Sequence, residues 1–327
     1  MPSATKLRLK PPNGGPVRQP EGGESSLLAR VFACIVLVGA LARPVSAQIY
    51  ETVGIRAQGM AGAFVAVADD STATWWNPAG LASGAYFSGS VEHRSGQGAS
   101  DEGTLGVSLM VPSLGLSYYC LRVGAIPPAA STASPPVDRK DLGTGASLPS
   151  FALTQLGVTT GQSLGRYVVV ASTLKVVGAD QIRGDFDLGA IVKVSSVRLG
   201  ISAKNLAAPE LTADGNSVEH TRQVRVGAAY APGARGGVAL IAAVDADLTA
   251  TATAGGDARH VAGGAEVRAG RLGLRAGVSR NTIAAPRPSF SAGASIGVRT
   301  GTFLDAHVTR GDDDAMKAWG FALRVTF

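Results

Sequence analysis

The sequence predicts an all-β fold, a transmembrane outer-membrane β-barrel of about fourteen antiparallel strands. Three observations predict it. Short segments alternate between apolar and polar residues, tight and longer connections between them alternate as well, and the last nine residues carry one wholly apolar face. Glycine is abundant at 43 residues, whereas only 17% of residues are charged and 6% are aromatic, a composition untypical of helical globular domains.

The C-terminal segment shows the alternation most clearly. Successive side chains of a strand point to opposite faces. Large apolar residues occupy every odd position of this segment, namely Trp319, Phe321, Leu323, Val325 and Phe327. An apolar strand that ends on an aromatic residue resembles the assembly signal that bacterial barrel-assembly machinery recognises. We therefore expect that machinery and outer-membrane lipids as partners.

The N-terminus predicts export. Residues 31–41 form an apolar run that follows Arg30, and the later Pro44-Val45-Ser46-Ala47 suits cleavage before Gln48. The run is too short for a membrane helix, which needs about 20 apolar residues, and it fits a secretory signal peptide. We predict a leader and cleaved signal peptide over residues 1–47, with translation starting near residues 26–31. The mature chain would cross the inner membrane and reside in the bacterial outer membrane.

The charge balance gives no support for nucleic-acid binding. The formal net charge of +6 falls to +2 when residues 1–47 are removed, because the leader is basic. One cysteine, Cys120, remains in the mature chain, and a single thiol forms neither a disulfide within the chain nor a metal cluster. We expect no cofactor, no metal and no nucleic-acid partner.

The connections between segments indicate a barrel. Those after every second strand are tight, and the intervening ones are mostly longer. This order is typical of an up-and-down barrel with short periplasmic turns and longer external loops, and it disfavours the alternative of a soluble periplasmic sandwich. The predicted strands lie near residues 84–92, 104–111, 113–122, 151–160, 166–176, 184–194, 197–205, 220–231, 236–247, 259–268, 271–280, 288–299, 302–310 and 318–327.

Charged residues on the polar faces of these strands would line the lumen. These lumen-lining residues carry more positive than negative charge, even when the further acid Asp187 is counted with them. An open pore lined in this way should favour anions. His307 lies two residues from Asp305 on one face, where it either couples to that carboxylate or forms a solvated pair with it. The histidines give no support for a catalytic triad, so we expect no enzyme. The predicted lumen-lining residues are Lys193, Arg198, Lys204, Arg225, Glu266, Arg268, Arg275, Asp305, His307 and Arg324.

A segment rich in small residues, residues 48–83, precedes the barrel and contains the motif Trp76-Asn77-Pro78-Ala79-Gly80. Pro78 restricts Asn77 to an extended conformation, and an Asn amide can bond to backbone groups of an irregular segment. Acidic and amide side chains would pin this segment or contact a ligand, and the two indoles would anchor at the membrane interface or line an apolar pocket. The candidate site residues of this segment are Asp69, Asp70, Trp75, Trp76, Asn77, Pro78 and Ala79.

This motif and its surroundings resemble the N-terminal plug of the FadL-type outer-membrane transporter superfamily, which includes PorV-type barrels of type IX secretion and barrels associated with plasmid transfer. The resemblance implies that residues 48–83 form a small N-terminal plug inside the lumen, with the candidate site residues of that segment as its plug and gate positions. It also implies that residues 84–327 form the barrel. Segments 186–189, 199–205 and 266–277 look more like the secretion-associated group. The matching plug positions are Gly59, Gly62, Ala63, Phe64, Ala66, Ala68, Asp69, Asp70, Ala73, Asn77, Pro78, Ala79, Gly80 and Leu81.

Two functions follow from this resemblance. The first is a plugged channel for uptake of hydrophobic or amphipathic small molecules, with plug movement as its gate. The second is a non-catalytic accessory or docking barrel of a protein secretion or surface-attachment system, whose partners would be secretion-system proteins. The sequence does not separate the two.

Overall fold

Fourteen strands form a closed antiparallel barrel in the computed structural model, which describes residues 52–96, 103–124, 150–213, 216–253, 256–283, 286–311 and 317–327. The predicted signal peptide lies outside the described residues. In chain order the barrel strands are β1 (Ser88–Gly96), β2 (Gly103–Val111), β3 (Leu114–Gly124), β4 (Ser150–Leu164), β5 (Val168–Gly178), β6 (Ile182–Val194), β7 (Val197–Lys204), β10 (Gln223–Tyr230), β11 (Val238–Asp247), β14 (His260–Ala269), β15 (Leu272–Asn281), β16 (Ser289–Arg299), β17 (Thr302–Gly311) and β18 (Ala318–Thr326).

The barrel closes where its first and last strands meet. Each barrel strand pairs with its neighbours along the chain, and β1 pairs with both β2 and β18. Two short hairpins extend from the connections after β7 and β11. They are β8 (Glu210–Ala213) with β9 (Asn216–Glu219), and β12 (Thr251–Thr253) with β13 (Gly256–Ala258). The predicted closed barrel is confirmed, and two stacked sheets of a sandwich are excluded.

The strands carry apolar side chains outside and mostly polar side chains inside. On β18, for example, Phe321 is 53% exposed whereas Arg324 is 8% exposed. Other strands repeat this pattern, as with Leu274 outside and Arg275 inside on β15. A soluble protein buries its apolar faces, whereas a barrel in a lipid bilayer turns them outward. The outer surface is therefore that of a membrane barrel.

The strand boundaries differ most from the sequence prediction at β1 and β4. The first strand was predicted at residues 84–92 but begins at Ser88, because residues Pro78–Ser83 form a 3-10 helix and push the strand toward the C-terminus. The predicted turn at residues 161–165 lies partly within β4, which continues to Leu164. The reversal occurs at Gly165, whose φ of 72° suits glycine and few other residues.

The N-terminal segment, residues 52–87, packs against inward-facing residues of the barrel. It contains the short helices α1 (Ile55–Gly59) and α2 (Ala73–Trp76) and the 3-10 helix. Helix α1 lies against β16 and β17, and the 3-10 helix lies against β4, β5 and β6. No helix in the described part of the chain is long and apolar enough to cross a membrane.

Candidate functional site

Arg56 is the centre of a buried charge cluster between the N-terminal segment and the wall. Its Nε and Nη2 donate to Glu266 on β14, at 3.0 and 2.6 Å, and its Nη1 donates to Asp70 Oδ2 at 3.1 Å and to Asp69. Burial alone would lower the pKa of Arg56, but the three carboxylates raise it well above its usual value. Burial would likewise raise the pKa of Asp69, but Arg56 and two further arginines lower it. Both groups are therefore charged.

The cluster continues around the inner wall. Arg275 Nε donates to Glu266 at 2.9 Å, and its Nη2 donates to Asp305 at 2.8 Å. Arg324 Nε donates to the other oxygen of Asp305, also at 2.8 Å. Arg268 Nη2 lies 2.9 Å from Glu266. A continuous row of charges thus links β14, β15, β17 and β18 to the N-terminal segment.

Two wall carboxylates also bind backbone N–H groups of the segment. Glu92 on β1 accepts from the N–H of Gly54 at 2.8 Å. Asp245 on β11 accepts from the N–H groups of Phe64 and Val65, at 2.7 and 2.8 Å. An irregular segment has few backbone partners of its own, so these carboxylates satisfy donors that burial would otherwise leave unpaired.

Asn77 holds the motif in the manner that the sequence predicts. Its backbone is extended, at φ −157° and ψ 107°, and its Oδ1 accepts from the N–H of Ala79 at 3.1 Å. Its Nδ2 donates to the carbonyl oxygens of Val65 at 2.9 Å and of Ala190 on β6 at 3.2 Å. A Cβ at Gly189 would overlap Asn77 Oδ1. Asn77 therefore connects the segment to the wall at a place where the wall has no side chain.

Trp75 and Trp76 both lie inside the barrel, with exposures of 4% and 2%. The indole N–H of Trp76 donates to the carbonyl oxygen of Val53 at 3.1 Å, and its ring meets Phe64 edge-on at 6.1 Å between centroids. The Trp75 ring meets Tyr119 of β3 edge-on at 5.4 Å. Both indoles thus line an apolar interior and lie away from the lipid-facing surface.

Sequence reasoning missed the residues of the wall and of the hairpin strand β8 that complete this interior. They form one apolar cluster with Trp75, Trp76 and Phe64. A signal was present in β3, where large apolar residues occupy both faces at Tyr118 and Tyr119 and so break the alternation. We call the following set the luminal apolar cluster: Trp75, Tyr119, Leu121, Leu153, Val177 and Leu211.

The remaining predicted lumen residues are distributed unevenly. Lys193 is exposed at the end of β6. Arg198 Nη1 donates to the carbonyl oxygen of Val67 at 3.3 Å, and the Lys204 ammonium lies 3.8 Å from the centroid of the Trp75 ring. Arg225 Nε donates to Asp247 at 2.6 Å. A small cavity beside these groups is lined by Val65, Trp76, Ser202, Lys204, Gln223, Arg225 and Asp247.

Two sequence expectations about the lumen need correction. His307 neither couples to Asp305 nor forms a solvated pair with it. Both side chains are buried, neither imidazole nitrogen has a hydrogen-bond partner among the described residues, and Asp305 pairs with arginines. The lining is also less basic than predicted, since inward-facing carboxylates were overlooked and pair with many of the cations. The overlooked carboxylates include Glu92, Asp185, Asp245 and Asp247.

The end of the chain lies beside the first strand. Phe327 exchanges two backbone hydrogen bonds with Phe87, at 3.2 and 3.0 Å. The side chains of Trp319, Phe321, Leu323 and Phe327 are exposed on the outer surface. Their orientation agrees with the predicted apolar face, and their role in assembly stays a prediction.

No family model matches the sequence, and no curated protein matches it. Solved barrels do match its structure. The Ralstonia pickettii toluene transporter TbuX matches with a TM-score of 0.57 and 12% identity, over 85% of this chain and 99% of that one. The CymD monoaromatic hydrocarbon channel matches with a TM-score of 0.56 and 13% identity, over 84% and 97% of the two chains.

A Pseudomonas aeruginosa FadL homologue also matches, with a TM-score of 0.52 and 11% identity, over 85% of this chain and 99% of that one. Sequence identities this low establish a shared fold and no more. The chain has the fold of the FadL-type outer-membrane transporters.

Proposed function

We propose that this protein is an outer-membrane channel for the uptake of hydrophobic or amphipathic small molecules. The luminal apolar cluster carries the proposal. A simple polar pore has no use for buried Leu, Val and aromatic side chains in its lumen, whereas an apolar solute needs such a surface to leave water. Solved barrels of the same fold are described as a toluene transporter and a monoaromatic hydrocarbon channel, which agrees with this function.

The N-terminal segment acts as the gate in this proposal. It lies beside the luminal apolar cluster and contributes Trp75 to it. Asn77 joins the segment to β6, and Arg56 joins it to β14. Passage of a solute requires some of these contacts to break, so the closed arrangement corresponds to the resting channel.

Dye uptake into Gram-negative cells tests the proposal. An intact outer membrane excludes N-phenylnaphthylamine, which fluoresces once it reaches lipid. Cells that express the chain should take up this dye faster than cells with an empty vector. Replacing Trp75 and Trp76 together with Ala should slow uptake while the amount of folded, heat-modifiable barrel stays the same.

A matched control uses Trp319, which lies on the outer surface and not in the lumen. Trp319→Phe should leave uptake unchanged. Dye uptake at the empty-vector rate from a well-folded barrel in the outer membrane would contradict the channel function.

A second candidate is a docking barrel for secretion-system or surface-attachment proteins. The observation that favours it is the set of buried ion pairs that Arg56 forms with the carboxylates of Asp69, Asp70 and Glu266. These pairs fix the segment in place, and a docking barrel, unlike a channel, can stay permanently closed. Crosslinking in intact outer membranes followed by mass spectrometry tests it. A docking barrel should reproducibly recover a secretion component, and recovery of the barrel alone would count against this candidate.

A further inference from the structure

Two buried polar atoms in or beside the luminal apolar cluster have no hydrogen-bond partner among the described residues. Trp75 Nε1 and Gln155 Oε1 form no hydrogen bond with any described residue. The Trp75 side chain is 4% exposed and Gln155 is 1% exposed. Buried polar groups without a partner are rare, because they lose hydrogen bonds to water and gain none in exchange. Their presence in a proposed transport site therefore needs an explanation.

Both atoms lie on the same stretch of the wall. Gln155 is on β4, and its register partners are Tyr119 on β3 and Val177 on β5, so these three side chains enter the lumen side by side. The Trp75 ring contacts the Tyr119 ring edge-on. Helix α2, which carries Trp75, packs against β3 and β4. Tyr119 thus lies beside both Trp75 and Gln155.

The surroundings of the two atoms define what could satisfy them. The neighbouring members of the cluster, Leu121, Leu153 and Leu211, offer only apolar surface. The indole nitrogen is a donor, and the amide oxygen is an acceptor. A hydroxyl group can accept from one and donate to the other. A carboxylate can only accept, and a hydrocarbon can do neither.

We propose that this site binds a small neutral amphiphile, a molecule with an apolar body and one hydroxyl group. The hydroxyl group accepts a hydrogen bond from Trp75 Nε1 and donates one to Gln155 Oε1, while the body lies among the leucines and Val177. The proposal rests on the channel function and deepens it by naming the substrate class. The side chains of the cluster pack against one another, so a bound ligand replaces some of their mutual contacts.

An anionic ligand is the main competing class. The Lys204 ammonium lies over the face of the Trp75 ring, and it would attract a carboxylate. Such a ligand would nevertheless leave Gln155 Oε1 unpaired and would place two acceptors against each other. The neutral amphiphile satisfies both atoms, which is why we favour it.

Three probes with the same tolyl ring separate these classes: 4-methylphenol, toluene and 4-methylbenzoate. Binding to the purified mature barrel in detergent is measured by isothermal titration calorimetry. We expect Gln155→Leu, which keeps the side chain's size and removes the acceptor, to weaken 4-methylphenol binding by about fivefold to tenfold, the usual effect of one hydrogen bond. Toluene binding should be unchanged or slightly tighter, because Leu removes an unpaired polar atom.

A second variant keeps the test valid if Gln155→Leu does not fold. Trp75→Phe removes the donor and keeps an aromatic ring, and it should also weaken 4-methylphenol binding selectively. Thr309→Val is the matched control, since Thr309 faces the lumen on β17 and bonds to Ser291 at 2.8 Å, away from the site. It should change the affinity for none of the probes.

The outcomes separate the inference from the channel function. Equal loss of 4-methylphenol and toluene binding in both variants would overturn the neutral-hydroxyl site and leave the channel function standing. Tighter binding of 4-methylbenzoate than of 4-methylphenol to the unmodified barrel would do the same and would favour an anionic substrate. If the folded barrel bound none of the three probes, both proposals would be overturned.

Discussion

Removing the guanidinium of Arg56 should detach the N-terminal segment from the wall. Arg56→Met keeps most of the length of the side chain but leaves Asp69 and Asp70 without this cation, while Glu266 keeps Arg268 and Arg275. Arg56 is only 4% exposed, so solvent does not screen these pairs. Loss of one partner of a buried ion pair costs about 3 to 5 kcal/mol. Because about 1.4 kcal/mol corresponds to tenfold, the detached population should rise at least about a hundredfold.

Hydrogen exchange measures this detachment directly. The N–H groups of Phe64 and Val65 bond to Asp245 on the wall, so they exchange only when the segment lifts. We expect their exchange to accelerate in Arg56→Met by about the same hundredfold factor, since exchange follows the open population. Arg166→Met, in an exposed turn, is the matched control. Unchanged protection of Phe64 and Val65 in Arg56→Met would refute the view that this charge cluster holds the segment.

Acid should weaken the same contacts. The pKa of Asp69 lies below its usual value of 3.8 in the folded protein, so its contribution is fully present above pH 3.8 and is lost as the pH falls through the lowered folded value. Without Arg56 the main cause of that lowering is gone, and detachment should begin at a higher pH. Exchange of the Phe64 and Val65 N–H groups, measured in Arg56→Met and in the unmodified chain, locates both onsets. A coincident onset in the two proteins would contradict the assignment.

Three further predictions concern other parts of the molecule. Gly277→Val should lower the yield of folded barrel severalfold on heat-modifiability gels, because a Cβ at this position would overlap the backbone of Met60. Ala276→Val is its control, since Ala276 faces outward. Burial lowers the pKa of His220 well below 6.5, so the fold should lose stability as the pH falls below 6.5. In His220→Asn the temperature of thermal unfolding should depend less on pH in that range. Phe327→Ser should lower outer-membrane insertion, scored by surface proteolysis, without changing the strands themselves.

The wall of the barrel was largely predictable from the sequence. A period of two in hydrophobicity determines which side chains face lipid, and tight turns determine which strands are neighbours. The inward positions of Arg275 and Asp305 therefore followed from counting residues along a strand. The start of the first strand was predicted too early. The 3-10 helix Pro78–Ser83 has no period of two, so the hydrophobic pattern did not mark where that helix ends and the strand begins.

The partnerships inside the lumen were not predictable in the same way. Arg56 stands alone in a segment of small residues, and nothing in the local sequence shows that it meets Glu266, 210 positions later along the chain. The luminal apolar cluster was missed for a related reason. Tyr119 and Leu153 lie on the face assigned to polar residues, and their common environment exists only once β3 and β4 pair and α2 packs against them.

The burial of the charge cluster determines how the attachment of the N-terminal segment responds to the salt concentration of the surroundings. Mobile ions screen exposed charges over about 8 Å at physiological ionic strength, but they act far less on pairs that they cannot approach. Arg56 and Glu266 are 4% and 1% exposed, so dissolved ions scarcely reach them. The segment should therefore remain seated equally well in dilute fresh water and in brine.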